Sequence, residues 1–122
     1  MRQKNKKWQI KNGEDAEQYA ASYLQNQHLT LLQQNYHCRF GEIDLVMRDD
    51  ETLVFVEVRM RTSEAFGGAA ASITSSKQAK LLRTARHYIA ELNTEPACRF
   101  DIVLLTGNDG KKVEWIQNAF GE

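Results

Sequence analysis

Two short stretches of strict alternation, separated by three acidic residues, constrain this chain more than any other feature. Residues 42–48 place Ile43, Leu45 and Met47 on one side of an extended strand and Glu42, Asp44, Val46 and Arg48 on the other. Residues 52–61 repeat the pattern, with Val54, Val56, Val58 and Met60 on one side and Leu53, Phe55, Glu57, Arg59 and Arg61 on the other. Asp49-Asp50-Glu51 reads as a turn, so the two strands are expected to form an antiparallel hairpin. A turn centred on Asp50-Glu51 sets Asp44 directly opposite Glu57. Residues so paired have Cβ atoms about 4.5–5.5 Å apart. A loop one residue longer would oppose Asp44 to Val56 instead.

Like charges directly opposite each other destabilise a sheet. These two acids also sit in runs apolar enough for central strands, GEIDLV and LVFVEVRMR, where an acid is rarely buried unless paired or coordinating. Three offsets remain open. Arg59 and Arg61 can neutralise the pair, one carboxyl can stay protonated, or a divalent cation can sit between them. Mg²⁺ is usually held by one or two carboxylates plus substrate phosphates. Polar groups placed at such cost are functional candidates.

The remainder of the chain supplies one domain around this hairpin. Its 122 residues suffice for a single core. Residues 1–12 carry five basic residues and no acid, and read as a basic arm; residues 13–122 read as the domain. The formal net charge of +0 excludes a uniformly basic coat for nucleic acid, but not a basic patch beside an acidic pocket. Cys38 and Cys98 lack zinc spacing and read as small buried residues in a reducing cytoplasm. The longest apolar run is a handful of residues, so no membrane association is expected and the location reads as cytoplasmic.

Helices are expected over 13–27, capped by Asn12, and from Ser75 to Asn93. Further strands are expected at Leu29–Gln34, Cys98–Thr106 and Val113–Ile116, with a loop over 64–74 and a turn at Asn108-Asp109-Gly110. The order α-β-β-β-α-β-β implies a mixed α/β sheet with helices on its faces.

Glu17 borders the first helix's stripe of Ala16, Tyr19, Ala20, Tyr23, Leu24 and Gln27. It is either directed at the sheet or an ordinary first-turn acid favoured by the helix dipole. Gln78 falls within the second helix's stripe of Leu81, Leu82, Ala85, Ile89 and Leu92. It is either a site amide or the partner of Ser75 in a capping box. Lys77, Lys80, Arg83 and Arg86 recur at steps of three, as a solvated face or a phosphate-contacting ridge. No HExxH, GxSxG, GxxxxGK[ST] or GxGxxG is present, which disfavours zinc, serine-hydrolase and P-loop chemistry.

Gly13-x-x-Ala16-Glu17, Cys38-Arg39-Phe40-Gly41-Glu42-Ile43-Asp44-Leu45, Val54-Phe55-Val56-Glu57-Val58-Arg59, Ser76-Lys77-Gln78 and Arg99-Phe100-Asp101 together resemble the YraN-like family of uncharacterised bacterial proteins. That family is similar in pattern to archaeal Holliday-junction resolvases and to the PD-(D/E)-x-K nuclease superfamily. The resemblance implies a restriction-endonuclease-like fold and a Mg²⁺- or Mn²⁺-dependent nuclease acting on DNA, branched or damaged DNA included. It also implies a homodimer. It maps Asp44, Glu57, the Val58 carbonyl and Glu17 onto the metal shell, and Arg59 and Gln78 onto the remaining catalytic positions. Lys4, Lys6, Lys7, Arg39, Lys77, Lys80 and Arg83 are then expected to hold the nucleic acid. The superfamily pattern has Lys two residues after the acid, whereas this chain has Arg59, which cannot be deprotonated. The alternative is therefore a nucleic-acid-binding module of the same fold that has lost catalysis.

Overall fold

Alanines let the first helix lie close on the sheet. In α1 (Gly13–Asn26) the buried residues are Ala16, Ala20, Ala21 and Leu24. Asn12 caps it, its side chain accepting the Asp15 N–H at 2.9 Å, while Asp15 accepts the Lys11 N–H at 3.0 Å. One of the helix's orphan donors is satisfied locally in this way, together with an N–H of the residue before the cap. Gln27 lies at the C-cap, exposed, rather than on the stripe. The structure, a computed structural model, describes residues 10–61, 73–107 and 112–121. Lys4, Lys6, Lys7, most of the 64–74 loop and the Asn108-Asp109-Gly110 turn lie outside them. Ile10 is buried in the core under α1, so residues 10–12 belong to the fold and not to a basic arm.

The elements follow as β1 (Thr30–Cys38), β2 (Gly41–Asp49), β3 (Thr52–Arg61), α2 (Ser75–Ala90), β4 (Cys98–Thr106) and β5 (Lys112–Phe120). They build one sheet in the order β1-β2-β3-β4-β5. Only β3 and β4 are parallel, because α2 carries the chain back across the sheet between them. The expected mixed α/β sheet flanked by helices is therefore what forms. α1 covers Leu45, Met47, Val54, Val56, Val103 and Leu105 on one face. α2 covers Val46, Leu53, Phe55, Ile102 and Leu104 on the other, through Leu81 and Ala85.

Three boundaries differ from expectation. β1 runs on to Cys38, because pairing with β2 continues to Cys38↔Gly41. α2 stops at Ala90, which leaves Leu92 exposed instead of on the buried stripe. β5 extends to Phe120 across an irregularity around Asn118, whose φ is 53°. There Asp101, fully buried, accepts the Asn118 N–H and the Trp115 indole N–H, each at 2.9 Å, and is gripped by the Arg99 guanidinium. Cys98 is exposed and Cys38 half-buried, so neither is the buried core residue expected.

One defect in the sheet matters for the site. Ile43 packs on the α2 side while Leu45 packs on the α1 side. The predicted sharing of one face by Ile43, Leu45 and Met47 therefore breaks at Asp44. Across from it in β1, Asn35 adopts a φ of 52°. The ladder skips this pair between Gln34↔Leu45 and Tyr36↔Ile43. Asn tolerates this left-handed conformation better than most residues.

Candidate metal and phosphate site

The site lies where the β2–β3 hairpin opens. The two strands pair in the expected register from Asp49↔Thr52 to Leu45↔Val56, and the ladder ends there. Asp44 consequently does not pair with Glu57. Its Oδ2 instead accepts the Val58 N–H at 2.8 Å, so Val58 contributes a donor to the acid. From the α1 side Glu17 meets Asp44. The Asp44 and Glu17 carboxyls lie within hydrogen-bonding reach of each other, and the Asn35 side chain hydrogen-bonds to Glu17. Burial pushes Asp44 up to about 6, with the charge of Glu17 adding to it and the Val58 N–H opposing it. Burial likewise raises Glu17, and the hydrogen bonds from Asp44 and Asn35 oppose it. Glu17 Oε1 is buried and has no hydrogen-bond partner among the described residues. Such an orphan is costly unless something answers it.

Glu57, only 6% exposed, continues the alternation of Leu53 and Phe55 on the α2 side. Lys77, in the first turn of α2, places its Nζ 3.1 Å from Glu57 Oε2, and Arg59 Nη1 lies 3.5 Å from the same oxygen. Burial first, and then the negative charge of Asp44, raise the Glu57 carboxyl; the two cations oppose this. The expected face-to-face acid pair is thus replaced by two linked arrangements, Glu17–Asp44 against α1 and Glu57–Lys77–Arg59 against α2. The side chain of Arg61 lies outside the described residues.

Gln78 turns away from the acids. Its amide donates to the Ile73 carbonyl at 3.1 Å, and the cap is Thr74, whose hydroxyl accepts the Lys77 N–H at 3.1 Å. The expected Ser75 capping box does not form; Thr74 alone caps the helix. Lys77 and Lys80 line a groove of mixed polarity, about 430 Å³, with Gly41, Glu42, Thr74, Ser76, Leu81 and Thr84. Arg83 is exposed on the same helix. Arg39 is exposed at the β1–β2 turn, its guanidinium 4.9 Å from the centre of the Phe40 ring.

Sequence reasoning missed Asn35, Lys77 as a partner of Glu57, and Thr84. Thr84 is fully buried, donates to the Lys80 carbonyl at 2.8 Å, and lies 3.1 Å from where a Cβ on Gly41 would stand. The local signal for Asn35 was an Asn inside a strand, a residue type depleted there.

The donors suit a hard divalent cation. Both are carboxylates, and one offers a buried oxygen with nothing bound to it. No three His, Cys, Asp or Glu side chains among the described residues form a metal-ready group. Mg²⁺ commonly takes only one or two carboxylates and draws its other ligands from water and substrate phosphate. No helix among the described residues is long and apolar enough to cross a membrane.

The model of Uncharacterised protein family UPF0102 matches residues 16–105. A UPF0102 protein of Nitrosomonas europaea is 64% identical over 110 residues, 90% of this chain and 93% of the relative. One from Nitrosospira multiformis is 64% identical over 108 residues, covering 88% and 91%. One from Psychromonas ingrahamii is 55% identical over 107 residues, covering 88% and 87%. The matched span contains both acid arrangements and the groove, and the chain belongs to the UPF0102 family, the uncharacterised YraN-like proteins.

Proposed function

We propose that this protein is a metal-dependent nuclease that hydrolyses phosphodiester bonds in DNA, branched or damaged DNA included. The observation that carries this reading is the half-buried Glu17–Asp44 pair, whose buried Glu17 Oε1 has no hydrogen-bond partner among the described residues, set at the open end of a hairpin beside Glu57. Asp44 and Glu17 would hold Mg²⁺ or Mn²⁺ with Glu57 adjacent, and the ion when bound supplies charge neutralisation at the phosphate and acidifies water. The Val58 N–H orients the Asp44 carboxylate. Arg59 offers a planar guanidinium fork to charge developing on phosphate. It takes no part in proton transfer. Gln78, spent on the Ile73 carbonyl, serves to hold the start of α2. A cytoplasmic location and a homodimer belong to the same reading, the latter checked by light scattering.

A specific observation favours the second reading, a binding module without catalysis. Glu57 is already neutralised by Lys77 and Arg59, as in a purely structural ion network. Incubation with linear, flapped and four-way DNA plus Mn²⁺ separates the two. The nuclease reading expects cleavage by the wild type, none by Asp44→Asn, and a Mn²⁺-induced rise in melting temperature that Asp44→Asn lacks. DNA binding with neither cleavage nor a metal-dependent melt supports the module.

A further inference from the structure

We infer that Lys77 is a second cation, beside Arg59, that meets the substrate phosphate, and that the groove beside it admits the DNA strand; this rests on the nuclease reading above. Lys77 both touches an acid of the site and lines the groove, with its Nζ 3.1 Å from Glu57 Oε2. Arg59 is farther from the same oxygen, at 3.5 Å, and is not among the groove residues.

The two ends of the Lys77–Glu57 bridge differ in exposure. The Glu57 side chain is 7% exposed and that of Lys77 is 44% exposed. An ammonium has three donors, so one can stay on the buried carboxylate while others reach a ligand from solvent. The position of Lys77 is fixed by its own backbone, since Thr74 accepts its N–H and the Gln78 N–H bonds to the Thr74 carbonyl at 2.9 Å.

The groove's composition fits a phosphate chain. Lys77 and Lys80 provide charge, Thr74 and Ser76 provide hydroxyls, and Gly41 leaves one wall without a side chain. The acid on that wall, Glu42, is engaged by His37 Nε2 at 2.7 Å. A phosphate entering here passes Lys80 and arrives at Lys77, beside Glu57.

Lys77→Met and Lys77→Arg are compared with wild type in two assays. In metal-free fluorescence anisotropy with a labelled DNA duplex, Lys77→Met should lower the slope of log Kd against log salt by about one contact, and Lys77→Arg should restore it. In Mn²⁺-dependent cleavage, Lys77→Met should reduce kcat by about 10²–10³, as for loss of one donor to developing charge. Far-UV circular dichroism confirms that each variant is folded, and Lys77→Arg retains the ion pair should Lys77→Met melt early. A wild-type salt slope or a wild-type kcat in folded Lys77→Met overturns the inference while leaving the nuclease reading intact. If the wild type cuts no DNA, the nuclease reading fails, and the salt slope alone decides the assignment of Lys77.

Discussion

Asp44 ends the β2–β3 ladder by taking over a backbone role: its Oδ2 accepts the Val58 N–H at 2.8 Å, one step beyond the last pair, Leu45↔Val56. A side-chain acceptor replaces a main-chain carbonyl, so the donor stays satisfied while the strands part. The cost is a half-buried acid held against a second acid, Glu17. The predictions below follow from this gap and from the packing around it.

The gap makes stability depend on pH. Asp44 rises from an ordinary 3.8 to about 6 in the fold. Between those values the folded state binds more protons than the unfolded state, so stability is fully present below about pH 4 and declines as pH climbs through 6. The full effect is about 3 kcal/mol. Glu17 and Glu57 are raised also and act with the same sign. Urea denaturation from pH 4 to 8 should show wild type losing stability relative to Asp44→Asn over this window. Parallel curves for the two proteins would contradict the assignment.

Two glycines should respond oppositely to alanine. Gly41 has φ +148° and faces Thr84 Oγ1 at 3.1 Å from a would-be Cβ. Gly41→Ala should therefore cost about 1–3 kcal/mol. Gly13 opens α1 with nothing among the described residues within 4 Å of a new Cβ. Gly13→Ala should stabilise by about 0.4–1 kcal/mol, mostly by restricting the unfolded chain. Equilibrium denaturation of both variants measures the contrast.

Asp101 has a structural role, set apart from the acids of the gap by its full set of partners. Truncation to Ala leaves Arg99 without its bidentate partner and frees the Trp115 and Asn118 donors. The expected loss is about 3–5 kcal/mol. Trp115 fluorescence reports it, because that indole N–H bonds directly to the deleted group. A loss below about 1 kcal/mol would contradict this reading of the cluster.

The N-terminus divides at Ile10. Deleting residues 1–9 removes Arg2, Lys4, Lys6 and Lys7, and should flatten the salt dependence of DNA binding. Deleting 1–11 further removes the buried Ile10 and the Lys11 N–H that bonds to Asp15. The longer truncation should melt below the shorter one, by an amount corresponding to about 2–5 kcal/mol for a core isoleucine. Equal melting temperatures would contradict the burial of Ile10.

The element order, the β2–β3 register and the Asn12 cap were legible in the residues themselves, because alternation, turn composition and capping act over a few positions. The acids stood out for a related reason: charge within an apolar run is a cost visible without any coordinates. The unusual status of Glu17 was legible only in part, since a helix wheel gives its angle and not what it meets. The sequence by itself thus determined that Asp44 and Glu57 sit at a cost in apolar strands and that β2 pairs with β3. Tertiary structure alone decided that the ladder stops before Asp44, that Asn35 opposite it takes a left-handed conformation, and that Glu17 arrives from α1. It also decided that Lys77 answers Glu57 while Gln78 turns back on Ile73. These outcomes depend on how two helices, separated in the chain by three strands, seat on opposite faces of one sheet, and no local pattern encodes that fit.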